Sequence, residues 1–296
     1  MAETVARTVP DVDVDESRDV ANAGNGFGLM FWFGLCWFII VVVLAVIGDF
    51  LPLKDPNRIN PADKYLPVLS EGHLLGTDQL GRDMLARIVD GAQVSMFISF
   101  VTVVVGISIG GIIGTVVGYL GGWVETVTMA LVNVMLSFPA LLVLLGVIAM
   151  AGQSLKIIVI VFAILAIPAY IRFARASAIT LKEQEWVAAS EMMGAKRTRI
   201  IFRGLIPNVM ITLITFGLLA LGGVIVAEGV IAFLGVGVPK PQATWGSMIS
   251  DGNQAFADDI IHIALVPAAV MFLTILSLNL VGDGLRRRLQ VRESMI

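Results

Sequence analysis

Long apolar runs alternate with short polar segments along this chain. The apolar runs cover Leu29–Gly48, Val94–Gly118, Thr126–Met150, a shorter Ile157–Ile171, Asn208–Ala227 and Ile260–Gly282. A helix needs about 20 mostly apolar residues to cross a bilayer. The pattern therefore predicts an all-α, polytopic membrane protein with six transmembrane helices. The expected organisation is a polar tail (1–27), a first span (28–48), a polar connection (49–93) and a core of five spans (94–290). Two large polar loops, 180–207 and 233–259, interrupt the core.

Composition agrees with the pattern. The chain is 57% hydrophobic and 15% charged, with mean hydropathy +0.89, whereas soluble domains carry about 25% charged residues. A net charge of −3 gives no reason to expect a nucleic-acid partner. The single cysteine, Cys36, lies in an apolar run; it can form no intrachain disulfide and reads as a small apolar residue. Asp11, Asp13, Asp15, Glu16 and Asp19 make the tail acidic. Such a tail cannot bury a core and is expected to be disordered, and it has the wrong charge for a signal peptide. Its first span is expected to remain as an anchor. Of the 20 Lys and Arg residues, 13 fall in the termini and the 180–207 side and 7 on the other side. The positive-inside rule then predicts that both termini and loop 180–207 are cytoplasmic and that 49–93 and 233–259 are external.

Loop 180–207 is the longest basic interruption of the core. Thr180 followed by Glu183 has capping-box spacing and predicts a helix start. Gly194 predicts a left-handed turn that ends this helix. A second helical run, Lys196 to Ile206, leads to Pro207 and the next span. Ala188, Ala189 and Ser190 would let a partner approach closely, and Met192 and Met193 are flexible apolar knobs suited to another protein's pocket.

This run resembles the docking loop of bacterial ABC importer permeases, whose pattern is Glu-Ala-Ala, three residues, Gly, nine residues, Ile-x-Leu-Pro. Gly194 and Pro207 match, and Ala189 and Ser190 fall on the Ala-Ala pair. Ala188 stands where the pattern has Glu, Gly204 where it has Ile, and Ile206 where it has Leu. Further similarities extend from about residue 73 to 290: a Gly-Thr-Asp-x-x-Gly-Arg-Asp element at 76–83, Phe233 to Gly237, Trp245 to Met248, and Asn279 to Arg286. Together they resemble the C-type permease of the dipeptide/oligopeptide branch of the peptide/nickel importers. The resemblance implies the type I ABC importer permease fold in a bacterial cytoplasmic membrane. It also implies a homologous second permease, two ABC ATPases, an extracytoplasmic substrate-binding protein and a peptide substrate. The expected ATPase-docking residues are Glu185, Trp186, Ala188, Ala189, Ser190, Met192, Met193, Gly194 and Ala195. No cofactor is expected on this chain; ATP and Mg would sit on the ATPases, and the chain is expected to be a transport subunit rather than an enzyme.

Gly76 to Asp83 mimics a phosphate loop, but Asp83 would put a phosphate-repelling charge where a Mg-binding hydroxyl belongs, and no strand precedes it. Pairing of Asp78 or Asp83 with Arg82 or Arg87 would instead lace the loop together. Gly106, Gly110, Gly114 and Gly118 recur every four residues and form a smooth groove for helix packing or sliding. Glu228 has no local partner; a lone carboxylate at membrane depth costs about 2.5–3.5 kcal/mol on insertion scales. It is a pathway candidate or an interfacial residue at the end of a span, and Asn133 is a second pathway candidate. Trp245, Met248 and Phe256 suggest that 233–259 is an ordered lobe touching the delivery protein, against the alternative of a floppy loop with Trp245 among lipid headgroups. An importer of nickel or another small solute would share these features. A stand-alone secondary transporter would call for paired intramembrane charges and inverted repeats, whereas the chain offers Glu228 and no evident repeat.

Overall fold

The computed structural model describes residues 28–253, 255 and 260–293. The acidic tail and Phe256 lie outside the described residues. Among those described, every named element is helical. Helix α1 (Leu29–Ile47) is apolar throughout and lies against the last helix, α10 (His262–Glu293). Gly34 admits the Leu280 side chain, and Trp37 Nε1 donates to Thr274 Oγ1 at 3.2 Å.

A compact polar hairpin follows. Asp78 accepts hydrogen bonds from the backbone N–H groups of Leu80 and Arg82 and from Arg82 Nε at 2.6 Å, and its carboxylate lies 3.5 Å from Arg87 Nε. All three charged side chains are buried. Asp83 has a different role from the expected pairing with arginine. It caps α2 (Met84–Val105) by accepting from Ala86 N, and its second oxygen lies 2.8 Å from His73 Nδ1. A π turn, Gly106–Gly110, joins α2 to α3 (Gly111–Leu120), giving one membrane-length rod from Met84 to Leu120.

The glycine groove is filled by α6 (Leu155–Lys182). A Cβ on Gly110 would lie 2.8 Å from Ile167 O, and one on Gly114 would lie 2.4 Å from Ile171 O. Backbone therefore meets backbone, and any side chain at these positions would force the helices apart. Helix α6 extends well beyond the expected Ile157–Ile171 span. Pro168 lies inside it without ending it, and Thr180 is an interior residue whose hydroxyl donates to Ala176 O at 3.3 Å, not a helix cap. Long membrane helices tolerate an interior proline because neighbouring groups satisfy the freed backbone.

Between these rods, α4 (Gly122–Ser137) and α5 (Ala140–Ala151) meet at Pro139 with a 75° bend. The pair starts just after Tyr119, whose carbonyl accepts from Lys182 Nζ at the far end of α6. It finishes near Gln153, whose Nε2 donates to Gly235 O. The bent pair thus travels from one end of the bundle to the other; counted as one span, it makes six among the described residues, beside five unbroken membrane-length helices.

The short helix α7 (Glu185–Met192) leads through a turn at Arg197–Arg199 and a π turn at Ile200–Leu205 into α8 (Ile206–Phe233). Pro207 does not interrupt this run. It follows the π turn, whose wider winding relieves the clash of the ring with the preceding turn. The rod from Arg197 to Phe233 has 37 residues, roughly 55 Å at 1.5 Å per residue. It carries α7 at one end and α9 (Trp245–Asn253) beyond the other.

Candidate functional sites at the two ends of the bundle

At the α7 end, the buried residue Val187 sets the helix's inward face and packs with Tyr119, Ile200, Ile201 and Leu205. One turn on, Glu191 Oε1 accepts a 2.8 Å hydrogen bond from the Tyr119 hydroxyl. Glu185, Ala188, Ala189 and Met192 fall on the opposite, exposed face, at spacings of three and four residues. Met192 is 88% and Met193 81% exposed. Ser190 is half-buried and donates to Trp186 O.

Gly194 ends α7 with φ +78°, in the left-handed region that favours glycine. Gly194 N donates to Glu191 O and Ala195 N to Ser190 O, satisfying two of the helix's last carbonyls. The Trp186 ring lies over Gly204, where a Cβ would come within 2.7 Å of it, and Trp186 Nε1 donates to Gln184 Oε1. The departure from the docking pattern at Gly204 therefore makes room for an indole.

At the other end, α9 begins with a reciprocal cap: Ser247 Oγ accepts from Thr244 N, and Thr244 Oγ1 accepts from Ser247 N. Trp245 is completely buried, and its Nε1 donates to Ile88 O on α2 at 3.1 Å. Asp90 accepts from Ala243 N, and Lys240 pairs with Asp251 at 2.8 Å. Glycine brings the backbones of α8 and α9 together, with a Cβ on Gly246 falling 2.5 Å from the Cα of Gly229. Met248 is buried too. Both Trp245 and Met248 thus belong to the core of the lobe, while Pro239, Lys240, Pro241 and Gln242 form its exposed edge.

Glu228 is buried beneath this lobe. Its Oε2 accepts from Ser95 Oγ at 3.3 Å, and the same hydroxyl accepts from Trp245 N. The carboxylate is therefore part of the junction between α2, α8 and α9, not of a lipid-facing span end. Asn133 is exposed on α4 and accepts from Arg172 Nη2 at 2.8 Å, one turn from the Glu125–Arg175 ion pair. The structure does not bring Asn133 and Glu228 together. Sequence reading missed Ser95, Tyr119 and Lys182. A polar residue early in an apolar run marks Ser95, and an aromatic hydroxyl beside the Gly121–Gly122 turn marks Tyr119.

Residues 106–294 match the family described as binding-protein-dependent transport system inner membrane component. A putative peptide transport system permease protein of Brucella abortus is 35% identical over 268 residues, covering 90% of this chain and 88% of the relative. The dipeptide transport system permease protein DppC of Alkalihalophilus pseudofirmus is 33% identical over 253 residues, 86% of this chain and 83% of the relative. The glutathione transport system permease protein GsiD of Pectobacterium atrosepticum is 32% identical over 250 residues, 84% and 82% of the two chains. This chain belongs to the inner membrane components of binding-protein-dependent transport systems, the permeases of ABC importers, and is a transport subunit rather than an enzyme.

Proposed function

We propose that this permease forms half of a translocation pathway for di- and oligopeptides. A homologous second permease would supply the other half, two ABC ATPases would bind at α7, and an extracytoplasmic binding protein would deliver substrate at the α9 lobe. The observation that carries the reading is the outward face of α7. Met192 and Met193 stand almost bare at the end of a helix whose other face is fixed to the bundle. Exposed methionines on an anchored helix suit a pocket in a protein partner. The names of the three relatives favour a peptide as cargo. The Lys and Arg distribution supports an inward-facing α7 and cytoplasmic termini.

In this reading, ATP-driven closure of the ATPases displaces α7, and the rod Arg197–Phe233 carries that displacement to the lobe. The ATPases can shift the permease between states only by making different contacts in each. Residues 239–242 form the exposed lobe edge available to the binding protein, with Trp245 and Met248 supporting it from beneath.

The test is uptake of labelled dialanine by a strain lacking the native gene, complemented with the wild-type protein or Ala189→Trp. Wild-type protein should restore uptake. Ala189→Trp, which puts an indole on the docking face, should abolish uptake while the protein still inserts. Equal uptake by the two would remove α7 as the docking site.

A further inference from the structure

Three elements converge on Tyr119. The side chain closes the rod Met84–Leu120 and is 4% exposed. Its carbonyl accepts from Lys182 Nζ at 2.8 Å, and the same ammonium lies 5.4 Å from the ring centroid. Its hydroxyl donates to Glu191 on α7 at 2.8 Å.

The two sides of this clasp differ in rigidity. Tyr119 rides on α3, which the glycine groove locks backbone-to-backbone against α6. Arg175 and Arg172 then tie α6 to Glu125 and Asn133 of α4. Glu191 rides on an eight-residue helix with an exposed outer face. A displacement of α7 thus has three routes into the bundle. Two are covalent, one at the start of α7 through residues 183–184 into α6 and one past its end through the π turn into α8. The third is the hydrogen bond from Glu191, near the end of α7, to Tyr119, which ties that end to the packed slab of α3, α6 and α4.

We infer that Tyr119 is a positioning residue that transmits movement of the docked helix to this slab through Glu191. The inference rests on α7 being the ATPase-docking helix. A hydroxyl donating to a carboxylate is short and directional and is stronger than a neutral pair, so it resists sliding in a way that apolar contact with Val187 does not. Lys182 holds the Tyr119 end of the clasp in place. Cutting the bond from either side, and from both together, reads the coupling directly.

The test uses the complete transporter in proteoliposomes, with labelled dialanine as cargo and uptake expressed per ATP hydrolysed. A parallel arm measures disulfide cross-linking of Ala189→Cys, in a Cys36→Ser background, to cysteines placed in the ATPase. Tyr119→Phe should cross-link as well as the parent protein while uptake per ATP falls about fivefold. Glu191→Leu, a change on the small peripheral helix, should fall equally. Glu191→Gln keeps an acceptor oxygen and should stay within about twofold of the parent. The double change Tyr119→Phe with Glu191→Leu should be no worse than either single change, as for two ends of one interaction. Normal uptake per ATP in Tyr119→Phe, with cross-linking intact, overturns the clasp and leaves the docking helix standing. Absence of cross-linking in the parent removes the docking helix and the clasp with it.

Discussion

The two ends of the rod Arg197–Phe233 carry polar segments of opposite construction. The lobe around α9 buries its largest apolar side chain, Trp245, completely and fastens it with side-chain and backbone hydrogen bonds to α2. The segment around α7 buries one residue of its helix, Val187, and leaves its largest flexible apolar side chains, Met192 and Met193, in the open. Exposed apolar area gains stability only when something covers it. The lobe supplies its own cover and α7 does not. One end is therefore part of the folded permease, and the other, in the proposed reading, is finished by a partner. Substitutions at the lobe should be read out as stability, and substitutions on the outer face of α7 as assembly.

The largest effect belongs to Trp245→Ala. Removing a fully buried indole costs about 3–5 kcal/mol when the site cannot collapse. The backbone contact between Gly246 and Gly229 leaves this site little freedom to collapse. The variant should melt well below the parent in detergent and be cleaved rapidly by protease within 234–253. A melting temperature equal to that of the parent would mean that the lobe is not integral to the fold.

Next is Ser95→Ala. The hydroxyl stands between Glu228 Oε2 and the Trp245 amide, and its loss takes a partner from both. Leaving buried polar groups without partners costs about 1–3 kcal/mol. Ser95→Thr keeps the hydroxyl and should recover most of this. Equal melting of Ser95→Ala and the parent would show that the Glu228 junction does not stabilise the lobe.

The contrast between the ends also explains what was legible in the sequence. The spans were legible because a bilayer demands about 20 apolar residues, and each apolar run is helical here, with Thr126–Met150 broken into two helices at Pro139. Helix ends were less legible. Backbone hydrogen bonding continues past Pro168, Thr180 and Pro207 because membrane-length helices are held by neighbours rather than by local signals. Gly194 could be read directly, since a left-handed turn selects glycine locally. The Glu228 partner could not, because Ser95 lies 133 residues away in sequence and no local pattern marks the pair. The Tyr119–Glu191 pair, 72 residues apart, was hidden for the same reason.

Gly194→Ala should have a smaller and more local effect. A left-handed residue with a Cβ costs about 1–2 kcal/mol, and no atom lies within 4 Å of the added methyl group. The strain is therefore confined to the backbone at the end of α7. Overall melting should barely move, while hydrogen exchange at the amides of Gly194 and Ala195 should speed up as their bonds to Glu191 and Ser190 loosen. Uptake should fall by a fewfold. Unchanged exchange would mean that the turn is not held by glycine's conformation.

The smallest effect on stability, and the sharpest test of the contrast, is the pair Met192→Gln and Met193→Gln. Both side chains are more than 80% exposed, and surface substitutions away from special features stay within about 0.5 kcal/mol. Glutamine is close to methionine in length and helix propensity, so α7 itself should be preserved. The added amide is readily hydrated in the isolated permease. In an apolar pocket of a partner it would have to shed that water, and burying an amide without a compensating hydrogen bond is unfavourable. The expected result is a parent-like melting curve with at least a tenfold loss of ATPase co-purification. A loss of melting temperature matching that of Trp245→Ala would mean that α7 belongs to the permease core after all. Full ATPase retention would mean that the bare methionines are covered by something other than the ATPase.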